Sequence, residues 1–194
     1  MARLNAANLE RARATIARYP VTRSATIPLL HLAQEQDGYV TEEAMAHVAE
    51  LVGATPAEIR GVATFYEMFK EHPVGQYLIG VCTNLTCMLL GADAIVRRVE
   101  ERLGVQIGAT TPDGLLTAEE MQCLAACGGA PCLQVNYRYF EHVTPADVDA
   151  IVDDLRAGRP PMGRDVPPHG TLSRVALPAP ATRAERERPE ELHA

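Results

Sequence analysis

Five cysteines in two short segments constrain this 194-residue chain more than any other feature. The first segment is CTNLTC at residues 82–87, and the second is CLAACGGAPC at residues 123–132. The cysteines follow the spacings CxxxxC and CxxxC, with Cys132 left over. Thiol groups clustered in this way bind a metal, carry out redox chemistry or form disulfides. The remaining sequence has to decide among these uses.

Composition excludes two classes of protein. The formal net charge is -7, and no cationic cluster is present of the kind that binds phosphate groups. The longest apolar runs, such as residues 88–90, are far shorter than the roughly 18 residues of a membrane span. With 47% hydrophobic residues the chain has enough apolar side chains for a packed core. We therefore expect a soluble globular protein that binds no nucleic acid.

The first twenty residues resemble an organellar transit peptide, because their only acidic residue is Glu10 among four arginines. The same residues also suit an ordinary helix that ends before Pro20, with Leu9, Ala12 and Ile16 on its packed face. The sequence shows no secretory signal, so we expect a reducing compartment. In that setting clustered cysteines more often hold a metal or do redox chemistry than form disulfides.

The N-terminal part, residues 1–74, has the pattern of a small helical bundle. Thr41 is placed to cap one helix, and Gly53 follows at the position where a left-handed residue ends it. Thr55 and Glu58 form a capping box around Pro56, which predicts the start of the next helix. These signals predict helices joined by short turns.

The pattern then changes to alternating strands and helices over residues 75–158. Residues 77–81 predict a strand that ends at the first cysteine loop, and the following apolar stripe predicts one helix that ends near Gly104. That stripe consists of Met88, Leu89, Ala92, Ile95, Val96 and Val99.

Four further strand signals and one helix signal complete this part. Residues 105–107 and 115–122 predict strands, and residues 133–135 with 139–143 predict a hairpin. Thr144 begins a capping box for a final helix. Residues 159–194 hold seven of the 14 prolines and lack periodicity, which predicts a tail that is either disordered or an arm ordered by a partner.

Four of the cysteines suit a 2Fe-2S cluster, because four thiolates can hold two bridged iron ions. A CxxxxC pair also occurs in plant-type ferredoxins. Small residues keep both loops open, so that backbone N–H groups can approach the cluster sulfurs. These small residues are Thr83, Asn84, Gly128, Gly129 and Ala130.

Other uses of the cysteines stay open at this point. Structural zinc also takes four cysteines, but its usual pairs are CxxC, and the sequence contains no CxxC. The same absence argues against a thioredoxin-type dithiol catalyst. Two disulfides, or unrelated buried thiols, are the remaining possibilities.

Cys132 and the histidines are not expected to be ligands. Cys132 follows Pro131 and opens an apolar segment, which suits a small buried residue. A Rieske-type site needs histidines inside the cysteine loops, and there are none. The scattered histidines are His31, His47, His72, His142, His169 and His193.

Beyond these separate signals, the motifs together resemble a known family, the thioredoxin-like 2Fe-2S subunit of respiratory complex I, which is the 24 kDa subunit of NADH-quinone oxidoreductase. The resemblance covers about residues 10–165. The matching motifs are VCTNLTC at residues 81–87, CLAACGGAP at 123–131, TPDG at 111–114, GVATFY at 61–66 and PVG at 73–75. The chain departs from the family pattern at Ala125, often a glycine in the family, and at Cys132, often a larger apolar residue.

The resemblance implies an α+β fold, with an N-terminal helical bundle followed by a thioredoxin-like α/β ferredoxin domain. It implies that Cys82, Cys87, Cys123 and Cys127 ligate one 2Fe-2S cluster. The cluster would lie beside the FMN of a partner subunit, which also binds NADH. The sequence contains no GxGxxG fingerprint and no P-loop, in agreement with a chain that binds no dinucleotide itself.

The resemblance further implies an electron-transfer subunit within the NADH-dehydrogenase module of complex I, together with other iron-sulfur subunits. Such a subunit would be peripheral on the cytoplasmic side of a bacterial inner membrane, or on the matrix side in a mitochondrion. One alternative is the equivalent subunit of a soluble NAD-dependent formate dehydrogenase or NAD-reducing hydrogenase. A second is a zinc-stabilised interaction module without redox activity.

Overall fold

The computed structural model describes residues 3–159, and these residues form helices followed by a mixed sheet with further helices. The N-terminal helices are α1 Ala6–Ile16, α2 Thr26–Asp37, α3 Glu42–Val52 and α4 Pro56–Phe65, with a 3-10 turn at Thr22–Ala25. They surround an apolar core built on fully buried side chains such as Leu29, Leu30, Val48 and Ile59. The helical start of the chain is confirmed.

Local capping places the ends of these helices as the sequence predicts. The Thr41 side chain accepts a hydrogen bond from the Ala44 N–H, and Gly53 ends α3 with a left-handed φ of 69°. Thr55 and Glu58 form the capping box of α4. Each of these contacts satisfies a backbone group that the helix itself leaves unpaired.

The second part of the chain is organised around a four-stranded sheet in the order β2-β1-β3-β4. Its strands are β1 Tyr77–Cys82, β2 Leu116–Met121, β3 Leu133–Val135 and β4 Arg138–Phe140. β1 is parallel to β2 and antiparallel to β3. Cys82 and Met121 are paired at the carboxyl ends of the two parallel strands. Both cysteine loops therefore leave the sheet at the same edge.

Three helices accompany the sheet: α5 Leu85–Leu89, α6 Ala92–Leu103 and α7 Pro145–Arg156. Ile95 and Val99 of α6 and Ile151 and Val152 of α7 contribute to a second apolar core with the strands. Thr144 caps α7 through a capping box, as predicted. The α+β fold class, with helices at the N-terminus, is confirmed.

The predicted helix after the first cysteine loop is wrong in one respect, because two helices replace it. Gly91 has a φ of 102°, a left-handed conformation that breaks the chain direction between α5 and α6. Leu89, predicted on the packed stripe, is 74% exposed, and Met88 is also exposed. The stripe is continuous in the sequence, but only its α6 half faces the core.

Two other predictions are corrected. Residues 105–107 form a turn rather than a strand, since none of the four strands described within residues 3–159 pairs with this short apolar run. The hairpin is confirmed at β3, but its second strand covers residues 138–140 instead of 139–143. The predicted strand at 115–122 is confirmed as β2.

Polar contacts join the helical part to the sheet. The Lys70 ammonium donates to both carboxylate oxygens of Glu119 on β2, at 2.8 and 2.7 Å. The Tyr137 hydroxyl donates to the Met68 carbonyl at 3.3 Å. Burial, with the nearby Glu119 charge, raises the pKa of Tyr137 to about 12.

The predicted domain boundaries, 1–74, 75–158 and 159–194, stay predictions. The predicted tail lies outside the described residues, apart from Arg159. Within residues 3–159, no helix is long and apolar enough to cross a bilayer.

Candidate metal centre

The first cysteine loop is held tightly by the fold. Cys82 is the last residue of β1, and Cys87 lies within the short helix α5. Asn84 caps this helix, and its side chain accepts a hydrogen bond from the Leu85 N–H at 2.9 Å. Cys82 and Cys87 are 3% and 2% exposed, respectively. The strand end and the helix therefore fix both thiols inside the protein.

The second cysteine loop follows β2 and lies closer to solvent. Cys123 and Cys127 are both exposed, and Cys127 begins a 3-10 turn, Cys127–Gly129. Ala125 lies between them with a positive φ of 56°. Its N–H donates to the Cys123 sulfur at 3.3 Å. This loop presents its two thiols at the surface.

The structure groups the thiols differently from the sequence spacing. The sulfur atoms of Cys82, Cys87 and Cys132 all lie within 4.8 Å of one another. The Cys87 and Cys132 sulfurs are 3.6 Å apart. Cys123 and Cys127 do not belong to this group. All five thiols are free of disulfide bonds.

Sequence reasoning expected Cys132 to be a buried packing residue, and it is buried, with 1% exposure. It missed that this thiol touches Cys87. Cys132 directly precedes β3, whose Leu133 pairs with Val81, and the Cys82 N–H donates to the Cys132 carbonyl at 3.1 Å. Only the antiparallel pairing of β1 and β3 shows this proximity, so no local sequence signal could have found it.

Burial and nearby backbone N–H groups act in opposite directions on the pKa values of the buried thiols. Burial alone acts to raise the pKa of the Cys82 thiol, but hydrogen bonds from the Leu124 and Asn84 N–H groups leave that pKa below its ordinary value. Burial raises the pKa of the Cys87 thiol, although the Cys132 N–H donates to its sulfur. Burial, followed by the nearby Cys87, also raises the pKa of Cys132.

These residues fit a 2Fe-2S cluster. Leu124 of the second loop belongs to the same cluster of buried residues as Cys82 and Cys87, so the second loop packs against the first. Two thiolates on one tetrahedral metal with bonds of about 2.3 Å stand about 3.8 Å apart, and thiolates on a second metal lie farther away. The Cys82 and Cys87 sulfurs lie within 4.8 Å of each other, a separation that suits two thiolates on one iron. Thiolates and amide donors to sulfur are the chemistry that such clusters use.

Comparison with known proteins identifies the family to which the chain belongs. The chain belongs to the family of thioredoxin-like [2Fe-2S] ferredoxins, whose model matches residues 12–156. Its cofactor is accordingly a 2Fe-2S cluster.

The relatives confirm the resemblance seen in the sequence. A subunit of the NADH-quinone oxidoreductase of Mycobacterium tuberculosis is 45% identical over 149 residues, which is 77% of this chain and 59% of that protein. Subunit 2 of the NADH-quinone oxidoreductase of Thermus thermophilus is 41% identical over 148 residues, covering 75% of this chain and 82% of the relative. The match thus spans about three fifths of the mycobacterial protein.

A solved structure shows the same fold. The crystal structure of an NAD+-reducing [NiFe]-hydrogenase in the air-oxidised state contains a region that superposes with a TM-score of 0.62. The identity is 24%, and the match covers 70% of this chain and 23% of the hydrogenase chain. At this sequence identity the comparison shows a shared fold and nothing more.

Proposed function

We propose that this chain is the electron-transfer subunit of the NADH-dehydrogenase module of an NADH:quinone oxidoreductase. The observation that carries the proposal is the set of relatives named as subunits of that enzyme, at 37–45% identity over about three quarters of the chain. The two cysteine loops at one sheet edge support it, because they supply a cluster site in the matched region.

In this proposal four thiolates hold the cluster: Cys82, Cys87, Cys123 and Cys127. The first pair anchors the site, since both thiols are buried and fixed by β1 and α5. The second pair is exposed and brings the site to the surface. When bound, a 2Fe-2S cluster accepts and releases single electrons. An exposed side suits that task, because electrons have to pass to and from a neighbouring subunit.

The chain's own groups adjust the site. The backbone N–H groups of Leu124 and Asn84 hold the pKa of the Cys82 thiol below its ordinary value, which favours the thiolate that binds iron. The buried face around Cys87 includes Leu124 and Ala130, which exclude water from that side. The side of the site around Cys87 is dry, and the side formed by the second loop is exposed. We therefore expect a docked partner to change the surroundings of the second loop more than those of the first.

The partner in this proposal is a subunit that binds FMN and NADH, with other iron-sulfur subunits in the same complex. The chain would then be peripheral, on the cytoplasmic side of a bacterial inner membrane or the matrix side of a mitochondrion. The same fold also suits a subunit of a soluble NAD-dependent formate dehydrogenase or NAD-reducing hydrogenase. The names of the relatives favour the membrane-bound quinone reductase.

Co-purification tests the proposal. The tagged full chain is produced anaerobically with the flavin subunit from the same genome, and NADH is added to the purified complex. We expect a stable complex and, after addition of dithionite, the paramagnetic signal of one reduced 2Fe-2S centre from this chain. If no complex forms with the flavin subunit, the proposed role is wrong.

A second measurement distinguishes the proposed redox subunit from a zinc-stabilised interaction module. Iron and sulfide analysis should give two of each per chain, with visible charge-transfer absorption. A colourless protein that contains zinc would contradict the redox role. Neighbouring genes for membrane subunits would support the quinone reductase, and a molybdenum or nickel subunit gene would support the soluble enzymes.

A further inference from the structure

Cys132 is a buried thiol that the proposed cluster does not use. It lies with Cys82 and Cys87 in a group whose sulfur atoms are all within 4.8 Å of one another. Each of the three side chains is at most 3% exposed. Within residues 3–159, no fourth histidine, cysteine or carboxylate ligand atom joins this group.

The spacing of these sulfurs suits a single metal ion. Three thiolates around one ion with bonds of about 2.3 Å lie about 4.0 Å apart in a trigonal plane. The Cys87–Cys132 separation is 3.6 Å, and no separation in the group exceeds 4.8 Å. Side-chain movements of less than about 1 Å would therefore bring all three sulfurs to one ion.

The ligand set selects the kind of ion. Structural zinc almost always takes four ligands, and this group offers three. Thiolate ligands prefer soft ions, among which Cu+ accepts three-coordinate sulfur sites. The thioether residue Met121 also packs against this cluster of residues.

We propose that Cys82, Cys87 and Cys132 form a three-sulfur site that binds one Cu+ ion in the cluster-free chain. On binding, each coordinating thiol releases its proton to solvent and forms one bond to the ion, and no electron is transferred. Cys132 is the residue that distinguishes this site from the cluster site.

A competition between copper and the cluster follows. This consequence rests on the proposed cluster ligands, because the ion would take Cys82 and Cys87 away from the iron. Copper loading should then block cluster assembly in the wild-type chain. In the Cys132→Ala variant the block should be relieved, since the ion loses one of its three ligands.

The test measures Cu+ binding to the full chain under anaerobic, reducing conditions, in competition with a chromophoric Cu+ chelator. We expect one high-affinity ion per chain. The double variant Cys123→Ser/Cys127→Ser should keep this affinity, because it removes only the exposed thiols. Cys132→Ala should lower the affinity by more than about 100-fold, since even outer hydrogen-bond partners of metal ligands are worth about 10–100-fold.

Two controls keep the outcome clear. Far-ultraviolet circular dichroism checks that each variant is folded, and Cys132→Ser repeats the test with a side chain of similar size. X-ray absorption should show three sulfur neighbours around copper in the wild-type chain and in the double variant. The proposal is overturned if Cys132→Ala and Cys132→Ser bind copper with wild-type affinity, or if the double variant loses binding. Because copper affinity is measured on the cluster-free chain, a failure of copper binding can be distinguished from a failure of the proposed function.

Discussion

The two cysteine loops leave the same edge of the sheet but differ in how the fold holds them. The first loop runs from β1 directly into α5, and its thiols are buried. The second loop runs from β2 through Ala125, with a positive φ, to a 3-10 turn, and its thiols are exposed. The thiols of the first loop lie in the core, whereas Cys123 and Cys127 lie at the surface.

This difference indicates how one site combines stability with access. The first loop gains its geometry from packing around Cys82 and Cys87, which belong to a cluster of buried residues. The second loop supplies ligands from a surface where a partner can approach. We expect substitutions in the two loops to have equal effects on the cluster but unequal effects on the cluster-free protein.

The largest expected effect is loss of the cluster. Cys82→Ala in the first loop and Cys127→Ala in the second should each abolish the visible absorption, because each removes a proposed ligand. Cys132→Ala is the matched control from the buried group and should keep the cluster. Equal loss in all three variants, measured by iron content and electron paramagnetic resonance, would show that the assignment of the four ligands is wrong.

The next effect concerns β2, the strand that leads into the second loop. Lys70→Met leaves Glu119 without its partner, and the two side chains are only 10% and 22% exposed. Hydrogen bonds to charged groups contribute about 1.5–3 kcal/mol, so we expect the free energy of unfolding to fall by roughly that amount. Urea unfolding measures it.

Arg3→Ala serves as the control for Lys70→Met, because the Arg3–Glu50 pair is exposed and should leave the unfolding midpoint unchanged. Hydrogen exchange should increase at residues 122–130 more than at residues 82–87 in Lys70→Met. An equal increase in both loops would mean that the ion pair supports the whole sheet instead of the second loop.

Chemical modification should distinguish the loops in the wild-type chain. After cluster removal and reduction, iodoacetamide should label Cys123 and Cys127 faster than Cys82, Cys87 and Cys132, because only exposed thiols meet the reagent. We expect a difference of roughly tenfold or more in rate, read by mass spectrometry of peptides. Similar rates at all five thiols would show that the first loop opens in the cluster-free chain.

A smaller effect should appear in the stability of the cluster-free chain. Cys87→Ala removes a fully packed sulfur and should cost about 1 kcal/mol of unfolding free energy. Cys127→Ala removes an exposed one and should change it by less than about 0.5 kcal/mol. Paired urea titrations give both values, and equal losses would contradict the contrast between the loops.

The smallest expected effect is a gain in stability from a substitution in the second loop. Ala125 has a φ of 56°, which costs an alanine about 1–2 kcal/mol, while glycine adds about 0.5–1 kcal/mol of chain entropy. Ala125→Gly should therefore stabilise the chain by about 0.5–1 kcal/mol. Ala126→Gly is the control and should destabilise it, because Ala126 has a φ of -105°. Stabilisation by both substitutions would argue against local strain at Ala125.

Several elements could be predicted because their signals are local. Thr41, Thr55 and Thr144 begin helices by accepting hydrogen bonds from residues three positions later, so a few letters of sequence are sufficient. The break at Gly91 and the turn at residues 105–107 were missed. At Gly91 the apolar pattern continues in the sequence, but a left-handed backbone conformation separates two helices. At residues 105–107 no strand described within residues 3–159 pairs with the segment, so it forms no strand.

The candidate site divides in the same way. Cysteine spacing located the two cysteine loops and suggested a 2Fe-2S cluster, and the resemblance of short motifs predicted the family, because both kinds of signal are local in the sequence. The position of Cys132 beside Cys87, and the contrast between a buried and an exposed pair, came from the folded chain alone. The antiparallel pairing of β1 with β3 brings together residues more than forty positions apart, and that contact depends on the whole sheet.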